Sequence, residues 1–130
     1  MNDFKDAEKQ IVDCLLSYTR GIDRLDPDAI LAAFHPGALL EGYQVDALVP
    51  IEDFALPVIE RLRKRYSSTQ HRLSNTKIDF NDDGAIAESY ILAYHVQPAD
   101  EDNPERLWTF SGRYIDYFED RDGQWRIAKR

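Results

Sequence analysis

The sequence predicts an α+β domain in which a strongly curved antiparallel sheet wraps around N-terminal helices to form a cone with a pocket inside. Apolar residues in the first half recur at three- and four-residue steps, the spacing of amphipathic helices. After Ser67-Ser68-Thr69 the spacing becomes alternating, and nothing helical is needed again. The alternating stretches are separated by turn-rich tetrads, as in a meander of long antiparallel strands, and helices followed by such strands imply a sheet folded over them.

Phe4, Ala7, Ile11, Leu15, Tyr18 and Ile22 form the buried stripe of a first helix, with Lys5, Glu8, Lys9 and Asp13 on its other face. A second helix opens at Asp26-Pro27-Asp28 and stops at His35-Pro36. The Asp26 carboxylate can accept from orphan amides, Pro27 suits the first helical position, and Pro36 disfavours continuation. Ala38 to Tyr43 reads as a short strand. Glu52 to Tyr66 reads as a third helix whose basic end, Arg61 to Arg65, suits the negative end of the macrodipole. Pro57 places either the first turn or a break near itself.

Four strands complete the chain: Leu73–Phe80, Ala85–Gln97, Leu107–Glu119 and Trp125–Arg130, with turns at Asn81–Gly84 and Asp120–Gly123 and an exposed loop at Pro98–Pro104. In the second of them His95 shares a face with Ala85, Ala87, Ser89, Ile91 and Ala93, a mostly small-residue face that leaves room for a ligand. In the third, Trp108, Phe110, Gly112, Tyr114 and Phe118 share one parity, and Arg113 lies on the other with Ser111 and Ile115.

The 130 residues make one domain able to bury roughly two thirds of its unfolded surface. A formal charge of -8 argues against nucleic acid and anionic membranes, and leaves a small neutral or cationic molecule as the expected ligand. The single Cys14 has no partner for an intrachain disulfide, there is no basic-then-apolar leader, and no apolar run approaches the roughly 18 residues of a membrane helix. These features predict a cytoplasmic protein.

No glycine-rich phosphate loop, Cys-x-x-Cys pair or helically spaced histidine pair is present, so no cofactor or metal is expected. Acid–base chemistry by Asp and His remains. Asp26 has a capping role, whereas Asp23, just past the end of a first helix that runs into Gly21 and among Tyr18, Ile22 and Leu25, reads either as a solvated turn residue or as a base facing a pocket. His35 reads as a capping or packing residue; His71 and His95 are open between structure and function. Tyr18 and Tyr43 are able to donate to a developing oxyanion or to fill the core, and Arg113 and Arg130 to bind an anion or to pair with the surplus acids.

YTRGIDRLDPDAILAAFHPGA near the start, STQHRLSN in the middle and GRYIDYFEDRDGQWRIAKR at the end together resemble the SnoaL-like branch of the nuclear transport factor 2-like superfamily, a cystatin-like cone. The likeness covers nearly the whole chain. Its scytalone dehydratase and hexachlorocyclohexane dehydrochlorinase members imply an Asp-His dyad, matched here by Asp23 and His71. The dehydratase's second histidine matches His95, and the dehydrochlorinase's arginine matches Arg130. The dehydrochlorinase's lysine, five residues before its aspartate, is Tyr18 here, which departs from its pattern of halide departure. The resemblance also implies a homodimer or homotrimer assembled through the sheet.

The reading is a cofactor-independent lyase or isomerase of dehydratase, dehydrochlorinase or ketosteroid-isomerase type acting on a small apolar cyclic or aromatic metabolite, with Asp23 and His71 catalytic and Tyr18, Tyr43, His95, Arg113 and Arg130 binding substrate. Since the same fold hosts polyketide cyclases, epoxide hydrolases and noncatalytic subunits of ring-hydroxylating dioxygenases, the alternative is a noncatalytic binding or assembly module.

Overall fold

A computed structural model describes residues 3–130. In chain order the elements are α1 (Asp3–Arg24), α2 (Pro27–Ala32), β1 (Phe34–Gln44), β2 (Ala47–Pro50), α3 (Ile51–Arg65), β3 (Ser68–Asn81), β4 (Gly84–Gln97), β5 (Arg106–Arg121) and β6 (Gln124–Lys129). The strands form one sheet in the order β2-β1-β6-β5-β4-β3. The meander β3 to β6 is antiparallel as expected, and β1 joins it through a parallel pairing with β6. Register shifts occur in the β1–β2, β1–β6, β3–β4 and β5–β6 pairings, and such bulges bend and twist the sheet around the helices.

The stripe of α1 is buried from Ala7 through Ile22, and Ile11 and Leu15 are almost wholly enclosed, each worth roughly 1.5–3 kcal/mol of apolar burial. Phe4 departs from the expectation: it is exposed, and its ring rests edge-on against Phe80 at 5.2 Å. The core continues through Ile30, Phe34, Val58, Ile59 and Leu62 to Ala85, Ala87, Phe118 and Ile127 on the concave face. Cys14, within this core, donates from Sγ to the Trp125 carbonyl at 3.2 Å, and burial pushes its thiol up to about 11.

The junction between α1 and α2 follows the expected chemistry in detail. Leu25 takes φ 56°, Asp26 N donates to Gly21 O at 2.8 Å, and Leu25 N donates to Ile22 O at 3.3 Å, the paired bonds of a Schellman end. Asp26 then caps α2, its Oδ1 accepting from Asp28 N at 3.1 Å and Ala29 N at 3.2 Å, with Pro27 in the first turn. A Cβ added at Gly21 would lie 2.8 Å from both Ile30 Cγ1 and Ile30 N, so this glycine permits the two helices to touch.

Several boundaries differ from the sequence expectation. Helix α2 ends at Ala32 because Phe34 and His35 are extended and buried beside β6, where His35 Nε2 bonds the Glu119 carbonyl at 2.8 Å. Strand β2 was not expected, since its hairpin turn, Val45-Asp46, lacks glycine and puts Asp46 at φ 55°. Helix α3 runs unbroken through Pro57, whose solvent-facing position lets water serve the carbonyl that proline cannot bond. Strand β3 starts at Ser68, which places His71 inside the ladder opposite Ala93.

Gly21→Ala should push α2 away from α1 and cost roughly 1–3 kcal/mol, read as a lowered urea midpoint at unchanged slope. An unchanged midpoint would show that the contact is slack.

Candidate functional site

Asp23 lies within the last turn of α1, which runs on to Arg24 instead of ending at Gly21, and its carboxylate points at β3. Its Oδ1 is 2.7 Å from His71 Nδ1 and accepts from Thr69 Oγ1 at 2.9 Å; its Oδ2 accepts from the His71 backbone amide at 2.9 Å. These bonds weld the end of α1 to the sheet. Both side chains are largely enclosed, with His71 11% and Asp23 24% exposed. Partial burial alone would raise the Asp23 carboxyl, but the ring and amide of His71, joined by Thr69, together outweigh it and hold the group below the usual carboxylate value. The carboxylate is therefore ionised at neutral pH. It fixes the His71 tautomer with hydrogen on Nδ1, which leaves the Nε2 lone pair unclaimed by Asp23.

His71 borders a cavity of about 780 Å³ in the cone. Phe54, Val58 and Leu62, one stripe of α3 at four-residue steps, form an apolar wall, with Ile22 and Phe110 on other sides. Asp23 stands behind His71 and does not border the cavity. His95 does, its ring edge-on to His71 at 5.3 Å and tilted against Tyr66 at 4.9 Å. Burial, then the neighbouring His71, lowers its basicity, so His95 is a neutral hydrogen-bonding group near pH 7.

A second cluster holds the opposite kind of charge. Arg130 and Asp116 are buried and form a two-pronged ion pair, Nε–Oδ1 2.6 Å and Nη2–Oδ2 3.1 Å. The guanidinium carbon lies 3.8 Å from the Tyr114 ring centroid and 4.2 Å from that of Tyr18, a cation held between aromatic faces. Burial would strip the charge, but Asp116 keeps Arg130 protonated. Its Nη1 is buried without a partner, and Arg130, Tyr18, Tyr43 and Tyr114 all border the cavity. Burial and the neighbouring phenols raise Tyr18 well above its usual value, and burial likewise raises Tyr114, so both stay neutral donors.

Of the residues named from sequence, Tyr18, Tyr43, His71, His95 and Arg130 gather on the cavity. Arg113 borders it too, from the exposed parity of β5 and 3.5 Å from Glu88. Tyr114, Asp116 and Thr69 were not singled out. An acid at 116 among the concave-facing aromatics of β5 was the available signal, since a carboxylate on a buried face requires a cation. Among the described residues no three His, Cys, Asp or Glu side chains converge as metal ligands, and no helix is long and apolar enough to cross a membrane.

Asp116→Ala should leave the Arg130 charge buried and alone and cost about 3–5 kcal/mol in chemical denaturation; a loss below about 1 kcal/mol would mean that water reaches the guanidinium. Because the folded value of Asp23 is depressed, its stabilisation is complete above the unfolded value of roughly 4 and fades as pH falls through the folded value. The stability gap between wild type and Asp23→Asn should accordingly narrow as pH falls below 4, measured by urea midpoints; a gap that grows between pH 4 and pH 2 would contradict this.

The SnoaL-like domain family matches residues 5–130. No curated protein matches the sequence. Similar solved structures include a candidate scytalone dehydratase from Novosphingobium aromaticivorans, 24% identical with a TM-score of 0.77 over 99% of this chain and 85% of that one. A type 2 hexachlorocyclohexane dehydrochlorinase is 20% identical with a TM-score of 0.80, over 98% and 84%. A nuclear transport factor 2-like superfamily protein from Salmonella enterica serovar Typhimurium is 18% identical with a TM-score of 0.77, over 97% and 89%. These likenesses establish the architecture, and the family match covers almost every residue: the chain belongs to the SnoaL-like domain family.

Proposed function

We propose that this protein is a cofactor-independent acid–base lyase or isomerase acting on a small, largely apolar cyclic or aromatic metabolite. The observation that carries the reading is the 2.7 Å contact between Asp23 Oδ1 and His71 Nδ1 at the border of a 780 Å³ cavity. Ionised Asp23 holds the imidazole in one tautomer and stabilises the imidazolium that forms when Nε2 takes a proton from substrate carbon. The electron pair left behind moves toward a carbonyl oxygen or expels a β-hydroxyl. Tyr18 and Tyr43, backed by Arg130, donate to the oxygen that gains charge, and neutral His95 positions or protonates a departing hydroxyl.

The proton donors and the base come from different elements, so substrate binding between them would place both at once. An isomerase would return the proton from His71 to a neighbouring carbon; a lyase would pass it to the leaving group. A noncatalytic binding or assembly module is the competing reading, and a filled cone would favour it. The open cavity and the Nε2 that Asp23 leaves free favour catalysis.

His71→Ala should lower turnover of a substrate accepted by the wild type by about 10²–10⁴-fold while the circular dichroism spectrum is retained. Full activity in that variant would reject the role of His71. Tyr18→Phe keeps the ring against Arg130 and removes only the hydroxyl; kcat should drop about tenfold or more with little change in KM, and an unaltered kcat would remove Tyr18 from the mechanism.

A further inference from the structure

The end of α3 carries positive charge beyond what its helix requires. Arg61, Lys64 and Arg65 stand at i, i+3 and i+4, so they share one face, where like charges repel. Arg63 alone would complement the macrodipole from the next position. Among the described residues none of the three forms an ion pair, although Glu60 is one turn from Lys64 and the chain as a whole is acidic.

These three cations line a groove of about 460 Å³ closed on its far side by Gln97 and the loop through Asp100. Asp100 is the acid of that groove, and its carboxylate is engaged elsewhere. Oδ1 accepts from Asp102 N at 2.9 Å, from Asn103 N at 2.8 Å and from Asn103 Nδ2 at 3.1 Å, all within its own loop. Among the described residues no carboxylate oxygen therefore lies within ion-pair distance of the three cations, and the one acid of the groove is held by its own loop. Arg61 borders both this groove and the cone cavity, so the two spaces meet at its side chain.

We infer that the groove is an anion subsite continuous with the cavity, and that the natural ligand joins an apolar ring to a tethered carboxylate or phosphate that lies against Arg61, Lys64 and Arg65. The inference rests on the proposed function only in taking the cavity as the seat of the ring. It requires no chemistry at His71. The anion supplies what the helix end lacks, and the ring supplies the apolar burial that a solvated anion alone would not gain.

The test uses isothermal titration of the full chain with 6-(2-naphthyl)hexanoate, its uncharged methyl ester and 6-(2-naphthyl)hexyl phosphate at low salt. The ester reports the cavity alone; carboxylate against phosphate identifies which anion is preferred. At least one anionic probe should bind about tenfold more tightly than the ester, an advantage that shrinks with added salt. Lys64→Gln/Arg65→Gln should erase that advantage while the ester binds as before, and His71→Ala should leave it intact. If Lys64→Gln/Arg65→Gln is poorly folded, Lys64→Gln alone should cut the advantage by about half or more. Equal binding of anions and ester, failure of every probe to bind, or an advantage indifferent to these substitutions would overturn the inference. The role of His71 would then still be decided separately by turnover.

Discussion

The carboxylate of Asp23 receives a ring N–H, a backbone N–H and a hydroxyl from β3, and through them the last turn of α1 is fixed to the sheet at one point. Three neighbouring residues bring the carboxylate to that point. Gly21 lets α2 approach, the left-handed Leu25 turns the backbone, and Asp26 ends one helix and starts the next. The same group is thus both a clamp and an electrostatic source, and its low proton affinity is a product of the clamping.

The small-residue face of β4 does not open onto the cavity, contrary to expectation: Ala85, Ala87, Ser89, Ile91 and Ala93 are buried, and of that strand only His95 borders the space. Ala85, Ala87, Ser89 and Ala93 contribute little volume, and opposite them β5 supplies Phe110, Tyr114, Asp116 and Phe118. Of these rings Tyr114, together with Tyr18 of α1, encloses Arg130, which Asp116 neutralises. A buried charge pair of this sort is a poor source of stability compared with an apolar filling of equal volume. Its presence beside the phenols is better understood through the field that it exerts on the cavity than through any contribution to folding.

Much of this architecture was legible in the residues. The stripe of α1, the cap at Asp26, the turns at Asn81 and Asp120 and the alternation in β4 each arise from local spacing, which is what a sequence encodes most directly. The pairing of Asp23 with His71 could not be read from spacing, because 48 positions separate the two; only the likeness to a known family joined them. Other features were illegible for other reasons. Phe34 and His35 look like a helix end, yet tertiary burial beside β6 overrides that preference. The β1–β2 hairpin lacks the glycine that usually marks so short a turn. Arg113 and Arg130 looked alike as surplus cations, and strand parity sent one to an exposed position and the other to the interior.

The apolar wall of the cavity has a consequence for how such a molecule can diversify. Phe54, Val58 and Leu62 project from a single helix, whereas the contact between Asp23 and His71 is held between α1 and β3. The apolar wall and the Asp23–His71 pair are therefore housed in separate parts of the scaffold. Exchanging a methyl or a ring along α3 would recontour the chamber without disturbing the bonds that hold Asp23 to β3, so that the space could be reshaped while the junction beside it stayed as it was.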